Sequence, residues 1–148
     1  MKIIYNILSN IENKKIIKHL IKQYPKLLNE NCEISLNDEF AYLDSIPNFH
    51  IDNIKSQICR YVISTNFKDK LHEYAGIHWH KDEDVDDEIS VLLYLNGDNS
   101  KGGEFQLEDK SIQFKINSMF VFDSSINHKV KPYYGNETRI ALKWRFKV

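Results

Sequence analysis

Three metal-capable side chains stand two residues apart in the stretch "GIHWHKD": His78, His80 and Asp82. In an extended strand, residues two apart point to one side of the chain. All three therefore share a face if a strand persists that far, and Trp79 and Lys81 face the other way. The facing-away position predicts that Trp79 packs in the core. A fourth candidate, His128, lies downstream in "NHKVKP". Two imidazoles and one carboxylate, with coordination positions left open, suit a non-haem ferrous centre. Chance His–x–Asp pairs are common, and His19, His50 and His72 have no such surroundings.

Eleven residues after His128, Arg139 opens the apolar run "RIALKWRF". An unpaired guanidinium at the start of a buried strand is costly, and an anionic partner removes that cost. Arginine also matches a carboxylate through two parallel hydrogen bonds. There are seventeen lysines against three arginines, so arginine is not the default basic residue of this chain.

The elements that must position these groups change character along the sequence. "KIIYNIL" and "NCEISLN" read as short strands. Between them a helix capped by Ser9 or Asn10 runs to about Tyr24, with Ile16, Ile17, Leu20 and Ile21 at helical spacing, and Pro25 stops it. Ile54, Ile58, Tyr61 and Val62 predict a second helix over 53–64. From about Phe67, short β-branched and aromatic runs follow one another, among them "EISVLLYLN", "GEFQL", "SMFVFDS" and "TRIALKWRFKV", punctuated by turns such as "NGDNSKGG". Strands so spaced predict an all-β sandwich or barrel, of which a double-sheet jelly roll is one form, with the helices covering one sheet from outside.

The segment from Tyr74 to Phe146 resembles the catalytic core of the Fe(II)/2-oxoglutarate-dependent oxygenases, in their prolyl-hydroxylase-like branch. The matching pieces are the His80-Lys81-Asp82 triplet, "ISVLLYLN", the "GGEF" of residues 102–105, "MFVFDS", "NHKVKP" with His128, and "TRIALKWRF" with Arg139. The resemblance implies a mainly β, cupin-like double-stranded β-helix over about 67–148, helical support over about 1–66, and one oxygenase domain in all. It implies that His80, Asp82 and His128 hold iron. It implies that Arg139 pairs with the distal carboxylate of 2-oxoglutarate, helped by the hydroxyl of Tyr94. By the same resemblance dioxygen would be the oxidant, succinate and carbon dioxide the co-products, and an unactivated C–H of a peptide or an amino-acid-like small molecule the group hydroxylated. The related halogenases lack the carboxylate ligand, so Asp82 speaks against halogenation. His78, Tyr74 and Arg145 are candidate pocket-lining residues. Arg145 stands where the family commonly places tryptophan.

Other classes are weighed by the same residues. A cupin would use His78 and His80 together with Glu83 or Asp84, but Gly97 is too distant for its glycine. A non-catalytic β-sandwich binding module would retain neither iron nor 2-oxoglutarate turnover. The run Asp82, Glu83, Asp84, Asp86, Asp87 and Glu88 reads as a solvated loop, or as an attractor for a cationic substrate. A net charge of -1 speaks against a nucleic-acid partner. No window approaches 18 consecutive apolar residues, so no membrane span is expected. The N-terminus has no signal-peptide pattern, and Cys32 and Cys59 are isolated, which together suggest the cytoplasm.

Overall fold

The computed structural model describes residues 1–66 and 76–148. Two antiparallel sheets face each other. The larger contains β1 (Lys2–Tyr5), β2 (Cys32–Ser35), β3 (Ser56–Thr65), β5 (Glu88–Asn96), β8 (Ser118–Asp123) and β10 (Arg139–Lys147), in the order β1-β8-β5-β10-β3-β2. The smaller contains β4 (Ile77–His80), β6 (Phe105–Gln106), β7 (Ser111–Ile112) and β9 (His128–Val130), in the order β4-β9-β6-β7. This is the expected jelly roll, the double-stranded β-helix.

Alternation along β5 and β10 divides the core. Val91, Leu93, Leu95, Ile140, Leu142 and Trp144 point to the helical side, where they meet Ile16 and Leu20 of α1 (Asn10–Gln23). Leu92, Tyr94 and Ala141 point between the sheets and meet Phe105, Phe114 and Phe120. Burial on both faces explains why "VLLYL" does not alternate with polar residues. The helix starts as expected: Ser9 Oγ accepts from Glu12 N, and Ser9 N donates to Glu12 Oε1. No helix among the described residues is long and apolar enough to cross a membrane.

The helix expected over 53–64 is instead β3. Its apolar residues fit a helical face only loosely, whereas Ile58, Val62, Ile63 and Thr65 are β-branched. Pairing with β10 on one side and β2 on the other decides the outcome, because both flanks of the strand's backbone are then hydrogen-bonded.

One carboxylate of the support layer reaches β10 directly. Asp44 ends the 3-10 segment Asp38–Asp44. Its Oδ1 accepts from Arg60 Nε at 2.8 Å and from Trp144 Nε1 at 2.9 Å, and its Oδ2 accepts from Arg60 Nη2. Trp144 is fully buried. Asp44→Ala leaves an indole N–H without this acceptor and a mostly buried guanidinium without its carboxylate. The expected loss of stability in urea unfolding is about 3 kcal/mol, from breaking a buried pair. A loss below about 1 kcal/mol would show that water replaces the carboxylate there.

Candidate metal centre

The pairing of β4 with β9 sets His80 directly opposite His128. Their ring centroids lie 4.2 Å apart. β4 ends at His80, so the strand does not extend to Asp82 as the alternation argument required. The carboxylate nevertheless turns inward, and only 3% of its side chain is exposed. Asp82 Oδ1 lies 3.4 Å from His80 Nε2 and 3.8 Å from His128 Nε2. One ligand atom from each of the three residues falls within 4.8 Å of the others.

Both histidines are oriented by backbone. His80 Nδ1 lies 2.7 Å from the carbonyl of His78, and His128 Nδ1 lies 2.8 Å from that of Ile126. A carbonyl only accepts, so each Nδ1 carries the hydrogen and donates. In the neutral ring the Nε2 lone pair is then free, and both face Asp82. This is the tautomer a metal site requires. Phe105 of the "GGEF" turn stacks on His128 at 4.9 Å, and Phe122 meets its edge at 5.0 Å. Burial pushes the His128 pKa down and keeps the ring neutral. Contact with Asp82 pushes His80 up. Burial alone would raise the Asp82 carboxyl, but the bond to His80 and the charge of Lys143 outweigh it and hold the group well below the usual carboxylate range.

The donor set fits a first-row divalent cation. Two imidazole nitrogens and one ionised carboxylate converge from one side, leaving the other positions open. Asp82 Oδ2 is buried with no hydrogen-bond partner among the described residues, a cost that a bound cation would offset.

Further along the same cavity, Arg139 is 6% exposed. Its guanidinium lies over the rings of Tyr94 at 5.6 Å and Phe114 at 5.5 Å. Among the described residues it reaches only the Gly103 carbonyl, at 3.5 Å. No carboxylate among the described residues pairs with it. The Tyr94 hydroxyl is buried beside it and has no hydrogen-bond partner among the described residues. Burial pushes the pKa of Tyr94 up and that of Arg139 down. Gly103 makes room for the guanidinium: with φ at +73°, a Cβ there would lie 2.9 Å from Arg139 Nη1. The inner cavity between Arg139 and Asp82 is about 30 Å³, and it shares Ile63, Ile77, Val130 and Arg139 with an adjoining groove of about 300 Å³.

Several expectations change. His78 is exposed and does not line the cavity, because the pairing of β4 with β9 shifts register between Ile77 and His80. Trp79 is 44% exposed, with the Lys129 ammonium 5.1 Å above its ring, and is not a core residue. Arg145 does not line the cavity but turns toward the loop after β4. Tyr74 and His72 lie outside the described residues. Lys143 was not singled out from the sequence, yet its ammonium sits 2.9 Å from Asp82 Oδ1 in the cavity wall. The signal was available: Arg139, Ala141 and Lys143 are spaced by two on one strand.

The family model described as the 2OG-Fe(II) oxygenase superfamily matches residues 48–145. No curated protein sequence matches the chain. Among solved structures it is similar to the viral collagen prolyl hydroxylase of Paramecium bursaria Chlorella virus-1 in its 2OG complex, at 20% identity and TM-score 0.74, covering 99% of this chain and 95% of that one. A Trichoplax adhaerens prolyl hydroxylase, in complex with a hypoxia-inducible-factor peptide fragment, aligns at 18% identity and TM-score 0.75, covering 99% and 82%. A Pseudomonas putida prolyl-4-hydroxylase aligns at 16% identity and TM-score 0.71, covering 99% and 91%. At these identities the likeness shows the fold.

Removing a ligand costs more than the roughly 10–100-fold typical of a supporting residue. His80→Ala, Asp82→Ala and His128→Ala are each expected to lose Mn(II) binding by more than about 100-fold, read from free Mn(II) by electron paramagnetic resonance. His78→Ala is expected to bind as the parent does. The reverse result for His78 and His80 would assign the wrong histidine.

Proposed function

The chain belongs to the 2OG-Fe(II) oxygenase superfamily, and on that premise we propose that it is a hydroxylase in which His80, Asp82 and His128 hold Fe(II) and Arg139 with Tyr94 holds 2-oxoglutarate. The 1–148 chain then works as one oxygenase domain. The observation that carries this reading is the pair of unsatisfied buried groups beside the triad. Among the described residues, a guanidinium with no carboxylate and a phenol with no partner face one cavity, and a dicarboxylate supplies what both lack.

When bound, iron and 2-oxoglutarate supply an oxidant from dioxygen, with one oxygen atom passing to succinate as carbon dioxide leaves and the other inserted into a substrate C–H. The chain's own residues bind and orient. His80 and His128 present Nε2 because backbone carbonyls hold their Nδ1 hydrogens. Asp82 stays ionised over the working pH range. Arg139 forms a charge-assisted fork with the distal carboxylate, and Tyr94 donates its hydroxyl to the same group. Phe105, Phe114, Phe120 and Phe122 keep the inter-sheet side of the cavity dry, which strengthens each of these electrostatic contacts.

The substrate is a peptide or protein side chain, or an amino-acid-like small molecule. Similarity to prolyl hydroxylases, one of them bound to a peptide fragment, supports the polypeptide reading. The groove that adjoins the inner cavity gives a substrate access past Ile63 and Ile77.

Arg139→Ala removes a charged hydrogen-bonded contact of about 1.5–3 kcal/mol, so the KM for 2-oxoglutarate should rise by roughly 10–150-fold. Tyr94→Phe removes a neutral contact, and the rise should be about 2–12-fold. Succinate formation against 2-oxoglutarate concentration reads both. An unchanged KM in Arg139→Ala would take the cosubstrate role away from this residue.

A further inference from the structure

Asp82 lies two residues beyond the end of β4, so no strand ladder fixes its direction. The loop it opens carries six carboxylates in the seven positions 82–88. What meets them is the second half of β10. Residues 143, 145 and 147 alternate onto one face of that strand. Lys143 Nζ sits 2.9 Å from Asp82 Oδ1, and Lys147 Nζ sits 3.1 Å from Asp87 Oδ2. Between them, Arg145 Nη1 donates to the Asp82 carbonyl at 3.4 Å, while Nη2 lies 3.7 Å from Glu83 Oε2 and Nε lies 2.9 Å from Glu88 Oε2. The Nε contact is close in charge but off the hydrogen-bonding line.

The partners of Arg145 are thus the first two residues of the loop and Glu88, which opens β5 where the loop ends. One guanidinium reaches both ends of a seven-residue excursion. Backbone bonds close the same turn: Glu83 N donates to the Ser124 carbonyl at 3.1 Å, and Val148 N to that of Asp87 at 2.9 Å. The Lys147–Asp87 pair is about half exposed on each side and contributes little. Arg145 and Glu88 are 22% and 16% exposed, so their attraction is less screened.

We propose that Arg145 is a positioning residue of the metal centre: it draws the two ends of the 82–88 loop together and so fixes the direction from which Asp82 meets His80 and His128. The acidic run then supplies counter-charge for this clamp. The inference rests on the metal assignment made above.

The test uses the full chain with Mn(II) alone as probe and no 2-oxoglutarate. Arg145→Gln is expected to weaken Mn(II) binding about 10–100-fold, the range for residues that orient a ligand. Arg145→Lys should recover part of the loss. Glu88→Gln should act in the same direction, and the double variant should lose less than the sum of the singles, because both act through one contact. Thermal unfolding of the metal-free variants is followed in parallel. Parent-like Mn(II) affinity in Arg145→Gln overturns the proposal. If Arg145→Gln does not fold, Glu88→Gln decides: weakened binding at parent-like thermal stability supports the clamp, and parent-like affinity overturns it. A parent chain that binds no Mn(II), or a His128→Ala variant that binds as the parent does, overturns the metal assignment and the clamp with it.

Discussion

The rest of the structure depends on β10 and the charge it buries. The strand is hydrogen-bonded on both sides, to β3 and β5, and so stands in the middle of the larger sheet. Its two faces carry opposite chemistry. Ile140, Leu142, Trp144 and Phe146 face the helical layer and form the main core. Arg139, Ala141 and Lys143 face the cavity, and Arg145 faces the loop beside it. A cation can be held on a central strand only where the opposite face supplies enough burial to offset its desolvation. The apolar face is therefore a condition for the functional one.

The smaller sheet contributes geometry of a different kind. Register fixes the histidines, because antiparallel pairing places His80 opposite His128 and a slip of one residue would turn one ring outward. Asp82 has no register to hold it, since it comes after the strand. Its direction comes from contacts with β10 of the other sheet. The three groups of the triad are consequently set by two sheets, and the cavity between the sheets is where their ligand atoms meet.

The strand content, the jelly roll, the capped first helix, the triad and the buried arginine were legible in the sequence. Each rests on a local signal: period-two spacing, a capping pair, turn residues, or a charge inside an apolar run. What was not legible depended on long-range pairing. β3 looked helical because its apolar spacing was ambiguous until two neighbouring strands claimed its backbone. His78 and Trp79 were misplaced because the irregular pairing of β4 with β9 cannot be read from β4 alone. The partners of the acidic loop lie some sixty residues away on β10, so the loop read as a solvated run. Arg145 read as a pocket residue for the same reason, since its partners could not be named before β10 was seen beside the loop.

Net charge also conceals the local balance. The chain as a whole carries -1, yet the cavity groups Arg139 and Lys143 outnumber Asp82 by one positive charge, because +1 +1 -1 is +1. On the proposed assignment a divalent cation raises this to +3. So much positive charge in a small space between two sheets is unstable without an anion. A dianionic cosubstrate returns the sum to +1, and a monoanion leaves +2. Lys143 thereby changes how the site discriminates. On that assignment Arg139 would give the shape match to one carboxylate, and the combined field of Lys143 and the cation would favour a ligand that carries a second one. The preference for a dicarboxylate then follows from the charge of the cavity as a whole and not from the guanidinium alone.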